Sequence, residues 1–297
     1  MKVVVTGSSG LIGSALVTNL RADGHDVLRL VRREPLAADE RRWDPPTRHI
    51  DEAALDGVDA VVHLAGVGVG DRRWTDAHKK AVLDSRVDGT ATIAQAIATS
   101  TRKPAVLLSA SAVGYYGATG EDAADEHAPS GEGFLADVVR QWEAATTPAQ
   151  AAGVRVVRLR TGIVLSRVGG ALGKVLPLFK LGLGGRLGNG RQWMSWIALP
   201  DQIAAMRFVL DRADIDGAVN VTSPEPVRNR DYTKAIARAL HRPALAAVPP
   251  VALRAALGGF ADEGVLVSQR VIPARLEAAG FAFTYDDIDA AMSALIG

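Results

Sequence analysis

The sequence of 297 residues contains no cysteine, few aromatic residues and no excess of either charge. Without cysteine the chain can form no disulfide, no thiolate metal site and no cysteine nucleophile. Its 34 basic and 33 acidic residues leave a net charge of +1, which predicts no nucleic acid partner. The most apolar late stretch, residues 243–259, is interrupted by Pro249, Pro250 and Arg254. It is too short and broken to span a bilayer, so we also predict no membrane partner.

The six histidines are scattered without the spacing of metal ligands, so no metal site is predicted. The first predicted strand begins at Lys2, which leaves no space for a signal peptide, and we expect a cytoplasmic protein. Hydrophobic residues make up 48% of the chain and charged residues 23%, an ordinary globular composition. A chain of this length can bury one large α/β core and carry a smaller lobe.

The N-terminal segment carries the most specific pattern. An apolar run, residues 3–5, leads into glycines spaced three apart and then into a helical pattern. The order of strand, glycine turn and helix is what a dinucleotide site requires. Gly7 permits a tight turn, Gly10 lets a pyrophosphate approach the backbone, and Gly13 lets the helix pack on the strand. The N–H groups that begin the helix then face the anion. The predicted cofactor-binding residues of this turn are Gly7, Ser8, Ser9, Gly10, Leu11, Ile12 and Gly13.

Strand-like runs alternate with helical patterns after this turn. The predicted strands cover residues 26–31, 59–64, 104–109, 154–159 and 218–221. Their near-continuous apolar character suits strands that are buried on both faces. We therefore predict an α/β fold with a doubly wound parallel Rossmann-like sheet and a smaller C-terminal substrate or cap lobe.

The change of composition along the chain suggests two domains. Glycines crowd residues 182–190, so the stretch near 165–196 is predicted as a cap segment. The dinucleotide-binding domain is predicted over residues 1–225 and the C-terminal lobe over 226–297. The last part of that lobe, from about residue 248, is predicted as a small helical module.

The end of the second predicted strand indicates which dinucleotide is bound. In this fold that strand ends beside the adenosine ribose, about 20 residues after the glycine turn. An acid there would accept hydrogen bonds from the 2′-hydroxyl of NAD, but this chain has Arg32 and Arg33, with Glu34 only afterwards. Two guanidinium groups can fork onto a 2′-phosphate, so we predict NADP as the cofactor. The alternative is that both arginines only solvate a loop.

Motifs from end to end carry a family resemblance. The glycine turn and the later run of His63, Leu64, Ala65 and Gly66 resemble the extended short-chain dehydrogenase/reductase superfamily. More narrowly, the chain resembles the NAD-dependent epimerase/dehydratase family and its YfcH-type subfamily, which ends in a DUF1731-like module. The motifs behind this narrower resemblance are Ser111–Gly117, Leu159–Gly162, Gly188–Gln192, Trp196–Ile197 and Ser223–Asn229.

The resemblance implies a Rossmann-like domain that binds NADP, with a cleft over the carboxyl edge of the sheet. It adds Leu64, Ala65, Gly66 and Arg86 to the predicted cofactor-binding residues. Relatives often carry asparagine where this chain has Arg86, so that position departs from the family pattern.

The catalytic residues of the superfamily are only partly present. Its members use a serine after the fifth strand and a Tyr-x-x-x-Lys pair on the next helix. Ser111 takes the place of the serine, although a serine at a strand end can also cap the backbone. No tyrosine of this chain is followed by lysine four residues later. Counting back from Glu143, which fits the family glutamate, places Val139 and Leu135 in the lysine and tyrosine positions.

A substitute acid is therefore expected close by. Tyr115 and Tyr116 follow the fifth strand, on the side where open α/β sheets bind ligands. We predict Tyr115 as the catalytic acid beside Ser111, with its pKa lowered by a cation, for which Arg86 is the candidate. Tyr116, which packs structurally in relatives, is kept as a substrate contact.

The cap segment suggests the substrate. Guanidinium forks and flat apolar faces suit an anionic small molecule bearing a ring, such as a nucleotide sugar. Its predicted substrate contacts are Arg186, Arg191, Trp193 and Trp196. The alternative is a tryptophan-anchored loop held by core packing. We predict an oxidoreductase or epimerase relative that uses NADP(H), with a catalytically silent NADP(H) sensor or scaffold as the alternative.

Overall fold

A parallel sheet with helices on both faces forms the centre of the molecule. The computed structural model describes residues 1–297, apart from the side chain of Glu52. The strands, in chain order, are β1 (Lys2–Thr6), β2 (Asp26–Val31), β3 (Glu40–Asp44), β4 (His49–Ile50), β5 (Ala60–His63), β6 (Val106–Ala112), β7 (Arg155–Thr161), β8 (Ile163–Leu165), β9 (Gly185–Leu187), β10 (Trp193–Met194), β11 (Trp196–Ala198), β12 (Gly217–Val221), β13 (Val227–Arg228) and β14 (Ala246–Val248).

Helices connect these strands and form the C-terminal part of the chain. They are α1 (Leu11–Ala22), α2 (Asp76–Thr99), α3 (Phe134–Ala144), α4 (Thr147–Ala151), α5 (Gly170–Lys180), α6 (Leu199–Asp211), α7 (Asn229–Ala239), α8 (Pro250–Leu257), α9 (Ala274–Ala278) and α10 (Ile288–Ile296). A 3₁₀ turn follows β6 at Val113–Tyr116, and a π-helical turn covers Ala261–Val265. Within the described residues, we find no helix with the length and apolar character needed to cross a membrane.

The order of the strands confirms the predicted fold class. The main sheet runs β12-β7-β6-β5-β1-β2-β3-β4, and its neighbouring strands are parallel except for the last pair. The chain first winds outward from β1 to β3 and then returns to the other side of β1 with β5. The carboxyl ends of β1 and β5 therefore flank a topological switch point, where open α/β sheets bind ligands.

Two apolar clusters cover the faces of this sheet. Val3 and Val5 point into a cluster with Leu16 of α1 and Met206 of α6. Val4 points the opposite way, into the cluster that contains Ile93 of α2. All three valines are fully buried, because both faces of the strand are covered by helices. This burial explains why β1 is a continuous apolar run and not an alternating one.

A third cluster forms the core of the cap lobe. Leu172 and Phe179 of α5 pack there with Trp196, together with Ile236 of α7 and Met292 of α10. The cap segment thus shares its core with helices from the C-terminal part of the chain. Between them the chain returns to the main sheet through α6 and β12. The domain boundary at residue 225 stays a prediction.

Some elements differ from the pattern in the sequence. Apolar residues at helical spacing predict one helix over about 133–152, but the structure divides this stretch into α3 and α4, with Pro148 in the first turn of α4. Proline lacks an N–H group, so it is tolerated at a helix start and not in the middle of a helix. Neither β3 nor α5 was predicted, because β3 is mostly polar and α5 contains Gly173 and Pro177.

The glycine turn joins β1 to α1 by close backbone contact. Gly7 has φ +67°, which favours glycine, and a Cβ at this position would lie 2.8–2.9 Å from the backbone of Leu64 and Ala65. A Cβ at Gly13 would overlap the carbonyl oxygen of Gly7. Gly13 thus allows α1 to pack directly on the turn, as the spacing predicts.

We expect Gly13→Ala to lower the free energy of unfolding by about 1–3 kcal/mol, because the added methyl forces the turn and the helix apart. Urea denaturation of the cofactor-free protein measures this loss. Gly173→Ala is the matched control, since its Cβ would meet the nearest atoms at an ordinary 3.5 Å. Equal stability of Gly13→Ala and the natural protein would contradict the close contact.

Candidate functional site

A cleft of about 630 Å³ opens at the switch point. It is bounded by the glycine turn, the ends of β2 and β3, the loop after β5 and one side of α2. Its lining includes the predicted residues Gly7, Ser8, Ser9, Gly10, Arg32, Arg33, Leu64, Ala65 and Gly66. The structure therefore brings the glycine turn, both arginines and the post-β5 loop to one place.

The start of α1 faces this cleft. Gly10 is the N-cap residue. Because glycine has no side chain, it cannot accept hydrogen bonds from the first N–H groups of the helix. These groups are available to an anion, as expected for a pyrophosphate site. Leu11 packs against Gly169 of the cap, Ile12 packs on the core and Gly13 is buried. The side chains of Leu11 and Ile12 therefore do not line the cleft, and these three residues can contribute only backbone N–H groups.

A buried threonine holds the floor of the cleft. The Thr6 hydroxyl accepts the N–H groups of Leu64 (3.0 Å) and Ala65 (3.2 Å) and lies 2.8 Å from Nδ1 of His63. Donation of the Thr6 hydroxyl proton to Nδ1 would leave the ring proton on Nε2. Burial lowers the pKa of His63 to about 4, so the ring is neutral at physiological pH. Sequence reasoning gave neither residue a role.

The ribose end of the cleft contains an acid that sequence reasoning missed. Glu40 is only 2% exposed, and both of its oxygens lie 2.7 Å from the terminal nitrogens of Arg33. It also accepts the N–H of Leu36 at 2.7 Å and lies 3.1 Å from Arg29. The hydrogen bonds from Arg33, foremost, lower the pKa of Glu40 to about 2. The Glu40 carboxylate is therefore ionised, and the arginines beside it balance its charge.

These contacts change the predicted roles of the two arginines. Glu40 occupies the terminal nitrogens of Arg33, which leaves Nε and one hydrogen of Nη2 for another acceptor. Arg32 is exposed and lines the cleft, and the described residues include no acid paired with it. Arg32 is thus the freer cation for a 2′-phosphate. Arg33 can offer a 2′-phosphate only the edge of its guanidinium that carries Nε and Nη2.

Ser111 lies at the end of β6, as predicted, but its hydroxyl faces into the protein. It donates to Oε1 of Glu143 at 2.6 Å. Glu143 in turn receives two hydrogen bonds from Arg160, at 2.8 and 2.9 Å. All three residues are at least 93% buried. Because its hydroxyl donates to this carboxylate, Ser111 belongs to a buried network, and its catalytic role stays a prediction.

Arg160 also holds both tyrosines that follow β6. It donates to the Tyr116 hydroxyl at 2.9 Å, and that hydroxyl donates to Asn220 at 2.7 Å. Tyr116 is 3% exposed and burial raises its pKa to about 12, so its prediction as a substrate contact is wrong. Arg160 lies 3.4 Å from the ring centre of Tyr115, which is half-buried.

The cation beside Tyr115 is therefore Arg160 and not Arg86, as the sequence suggested. Arg86 lies 4.9 Å from the ring centre of Trp142 and donates to the carbonyls of Val67 and Val82. Burial lowers its pKa to about 10, which still leaves it charged at neutral pH. Its guanidinium packs against the loop after β5, 3.6 Å from a Cβ built on Gly66. Arg86 supports this loop from below.

Apolar side chains fill the positions of the missing pair. Leu135 and Val139 lie on the face of α3 that packs on Gly114, and Val139 is 3% exposed. The N-terminus of α3 is capped from far along the chain, because Glu263 accepts the N–H of Leu135 at 2.9 Å. The superfamily pair therefore has no counterpart on this face of α3.

The predicted substrate contacts of the cap differ in their exposure. Trp196 is fully buried and its Nε1 donates to the carbonyl of Glu225, so its prediction as a substrate contact is wrong. Trp193 is half-buried and lies between the guanidinium groups of Arg228 (4.4 Å) and Arg270 (4.9 Å). Arg186 and Arg191 are exposed. Across the part of the chain that the structure describes, no three histidine or acidic side chains are grouped to hold a metal.

We expect Leu135→Tyr with Val139→Lys to lower the free energy of unfolding by about 2 kcal/mol or more, because the lysine would be buried and Glu143, one helical turn away, is already paired with Arg160. It should not create activity. Thermal or urea denaturation measures the loss, and Gln141→Lys on the exposed side of α3 is the matched control. A double variant as stable as the natural protein would show that this helix face is less enclosed.

Comparison with known proteins agrees with this geometry. The family model of the NAD dependent epimerase/dehydratase family matches residues 3–222, and a domain of unknown function (DUF1731) matches residues 248–295. The chain therefore belongs to the NAD dependent epimerase/dehydratase family. This confirms the family resemblance and the C-terminal module.

Relatives match over nearly the whole chain. An epimerase family protein of Mycobacterium bovis, Mb2239, is 50% identical and covers 98% of this chain and 96% of its own. The human epimerase family protein SDR39U1, whose crystal structure contains NADPH, has a TM-score of 0.91 and 32% identity, covering 100% and 99%. A nucleoside-diphosphate sugar epimerase of Corynebacterium glutamicum has a TM-score of 0.83 and 40% identity, covering 100% of this chain and 58% of its own.

Proposed function

We propose that this protein binds NADP(H) in the switch-point cleft and uses it in a redox reaction on a small molecule. The observation that carries this proposal is the joint lining of one cleft by the glycine turn and Arg32. The turn offers uncapped N–H groups for a pyrophosphate, and Arg32 offers a cation at the ribose end. The NADPH in the human relative supports the same assignment.

The residues present fit this cofactor. Gly7 and Gly10 leave room for the pyrophosphate, and the loop held by Thr6 forms the floor. Arg32 and the free edge of Arg33 would hold the 2′-phosphate. A bound nicotinamide would supply hydride-transfer chemistry, while the protein would bind and orient it and exclude water.

We expect NADPH to bind at least tenfold more tightly than NADH, because charge-assisted hydrogen bonds contribute about 1.5–3 kcal/mol each. Arg32→Ala should remove most of this preference and leave NADH affinity unchanged. Isothermal titration calorimetry with both cofactors measures the ratio. Arg102→Ala, which removes an exposed arginine before β6 at the opposite edge of the sheet, is the control.

Gly10→Val separates the phosphate site from the ribose site. Its side chain would point into the space that a pyrophosphate needs, and its Cβ would meet only Gly7, at 3.3 Å. The variant should stay folded and bind neither cofactor. Equal affinities for NADPH and NADH in the natural protein, or normal binding by Gly10→Val, would contradict the proposed site.

A second candidate function is a catalytically silent NADP(H) sensor or scaffold. The buried network favours it, because Ser111 donates to Glu143 and Tyr116 is enclosed. Tyr115 is the remaining phenol at this edge of the sheet among the described residues. An enzyme and a sensor therefore differ in whether Tyr115 transfers a proton to or from a substrate.

Turnover distinguishes the two functions. We expect NADPH absorbance to fall when the protein meets one member of a panel of small carbonyl compounds and nucleotide sugars. Tyr115→Phe should lower that rate at least tenfold with unchanged NADPH affinity, because only the hydroxyl is lost. Tyr285→Phe in the cap lobe is the control. Tight NADPH binding without turnover of any compound would favour the sensor, and an unaffected rate in Tyr115→Phe would exclude this acid.

A further inference from the structure

A row of exposed leucines lies on the surface of the cap lobe. Leu178, Leu181, Leu183 and Leu245 are 51%, 73%, 64% and 93% exposed, and we refer to them as the leucine ridge. Leu183 donates its N–H to the carbonyl of Leu178 at 2.9 Å. Parallel pairing of β9 with β14 then brings the segment before Ala246 beside the segment before Gly185. The four exposed leucines therefore lie on neighbouring segments of the cap lobe.

Basic residues flank the leucine ridge, and the surrounding segments contain no acid. The sequence has no aspartate or glutamate between Glu143 and Asp201, or between Asp231 and Asp262. All four leucines belong to these two segments. The chain as a whole is nearly neutral, so these two segments carry positive charge that acids balance elsewhere.

Two of these basic residues lie next to the leucines. Lys180 lies between two ridge residues on the chain, and Arg242 precedes Pro243, which is 3.7 Å from a Cβ built on Gly182. Both are exposed. The ion pairs of this region use other cations, such as Lys174, so the described residues provide neither Lys180 nor Arg242 with an acid.

We propose that the leucine ridge docks on an anionic lipid surface. Its leucines would enter the boundary between headgroups and acyl chains, while Lys180 and Arg242 would meet the lipid phosphates. The prediction of no membrane partner rested on residues 243–259, which are too short and broken to span a bilayer. Docking on a membrane surface needs no spanning segment.

The shape and charge of the ridge favour this partner over two others. A second copy of the chain would bring the same cations face to face without an acid to separate them. A protein partner would need a preformed hollow that fits these leucines, of which Leu245 is 93% exposed. A bilayer interface receives projecting leucines without a preformed hollow, and its negative surface attracts the flanking cations.

Vesicle co-sedimentation tests this proposal and does not depend on the cofactor. The probes are vesicles of phosphatidylcholine alone and vesicles of equal parts phosphatidylcholine and phosphatidylglycerol. We expect the natural protein to sediment with the mixed vesicles only, and high salt to release it. Leu181→Ser with Leu183→Ser should lower the partition coefficient at least tenfold, and Lys180→Glu about fivefold or more.

Matched controls keep the result interpretable. Val168→Ser removes an equally exposed apolar residue outside the ridge, and Lys103→Glu makes the same change of net charge elsewhere. Both should sediment like the natural protein, and all variants should keep its NADPH affinity if that cofactor is bound. Absence from both kinds of vesicle, or undiminished sedimentation of the ridge variants, would overturn the proposal. So would a concentration-dependent dimer that the ridge variants abolish.

Discussion

The buried ion pair between Arg160 and Glu143 organises the end of the sheet where the superfamily places its catalytic groups. Arg160 comes from β7 and Glu143 from α3, so the pair joins a strand to the helix that packs beside it. Glu143 also accepts the hydrogen bond of Ser111. Arg160 also lies over the ring of Tyr115 and donates to Tyr116, whose hydroxyl donates to Asn220 on β12. Removal of one partner from such a pair would leave an uncompensated buried charge, which typically destabilises a protein by about 3–5 kcal/mol.

This arrangement makes two parts of the carboxyl edge of the sheet different from each other. On the side of β1 and β2, glycines and arginines keep backbone and charged groups open to a ligand. On the side of β6 and α3, the hydroxyls of Ser111 and Tyr116 are hydrogen-bonded inward, and Leu135 and Val139 present apolar surface. The groups suited to a dinucleotide are thus open to a ligand, while Ser111 and Tyr116 are tied into the core and Tyr115 is not. Its family membership alone therefore does not define a reaction.

The sequence was a good guide where local chemistry has one structural outcome. Residues 26–31 were predicted as the second strand and form β2, because an apolar run that is buried on both faces leaves little choice. The glycine spacing likewise predicted the turn, because only glycine fits at positions 7 and 13. By contrast β3 carries four charged residues and a buried tryptophan, a pattern that does not distinguish a strand from a loop. Glu40, at its start, was missed with it.

Side-chain partners were harder to predict than strands. A tryptophan has the same flat apolar face in a pocket and in a core, so nothing local revealed that Trp196 is buried and Trp193 is not. Ser111 stands at the predicted strand end, but the direction of its hydroxyl depends on Glu143, which lies 32 residues further along the chain. Arg160 was not singled out, because its role arises only when four elements meet.

The carboxylate of Glu263 couples the C-terminal part of the chain to the start of α3. It caps the N-terminus of α3 by accepting the N–H of Leu135, 128 residues earlier in the chain. Phe260, close to Glu263 in the chain, packs on Trp74, and Trp74 also contacts Phe134 at the start of α3. The helix end and the terminal module are thus mutually dependent in folding. A lesion in the last fifty or so residues would fray α3, whose Trp142 contacts Arg86 of α2, and so disturb the helix that forms one side of the cleft. Variants far from any ligand would then behave like binding-site variants, and a truncated chain would lose more than the module it lacks.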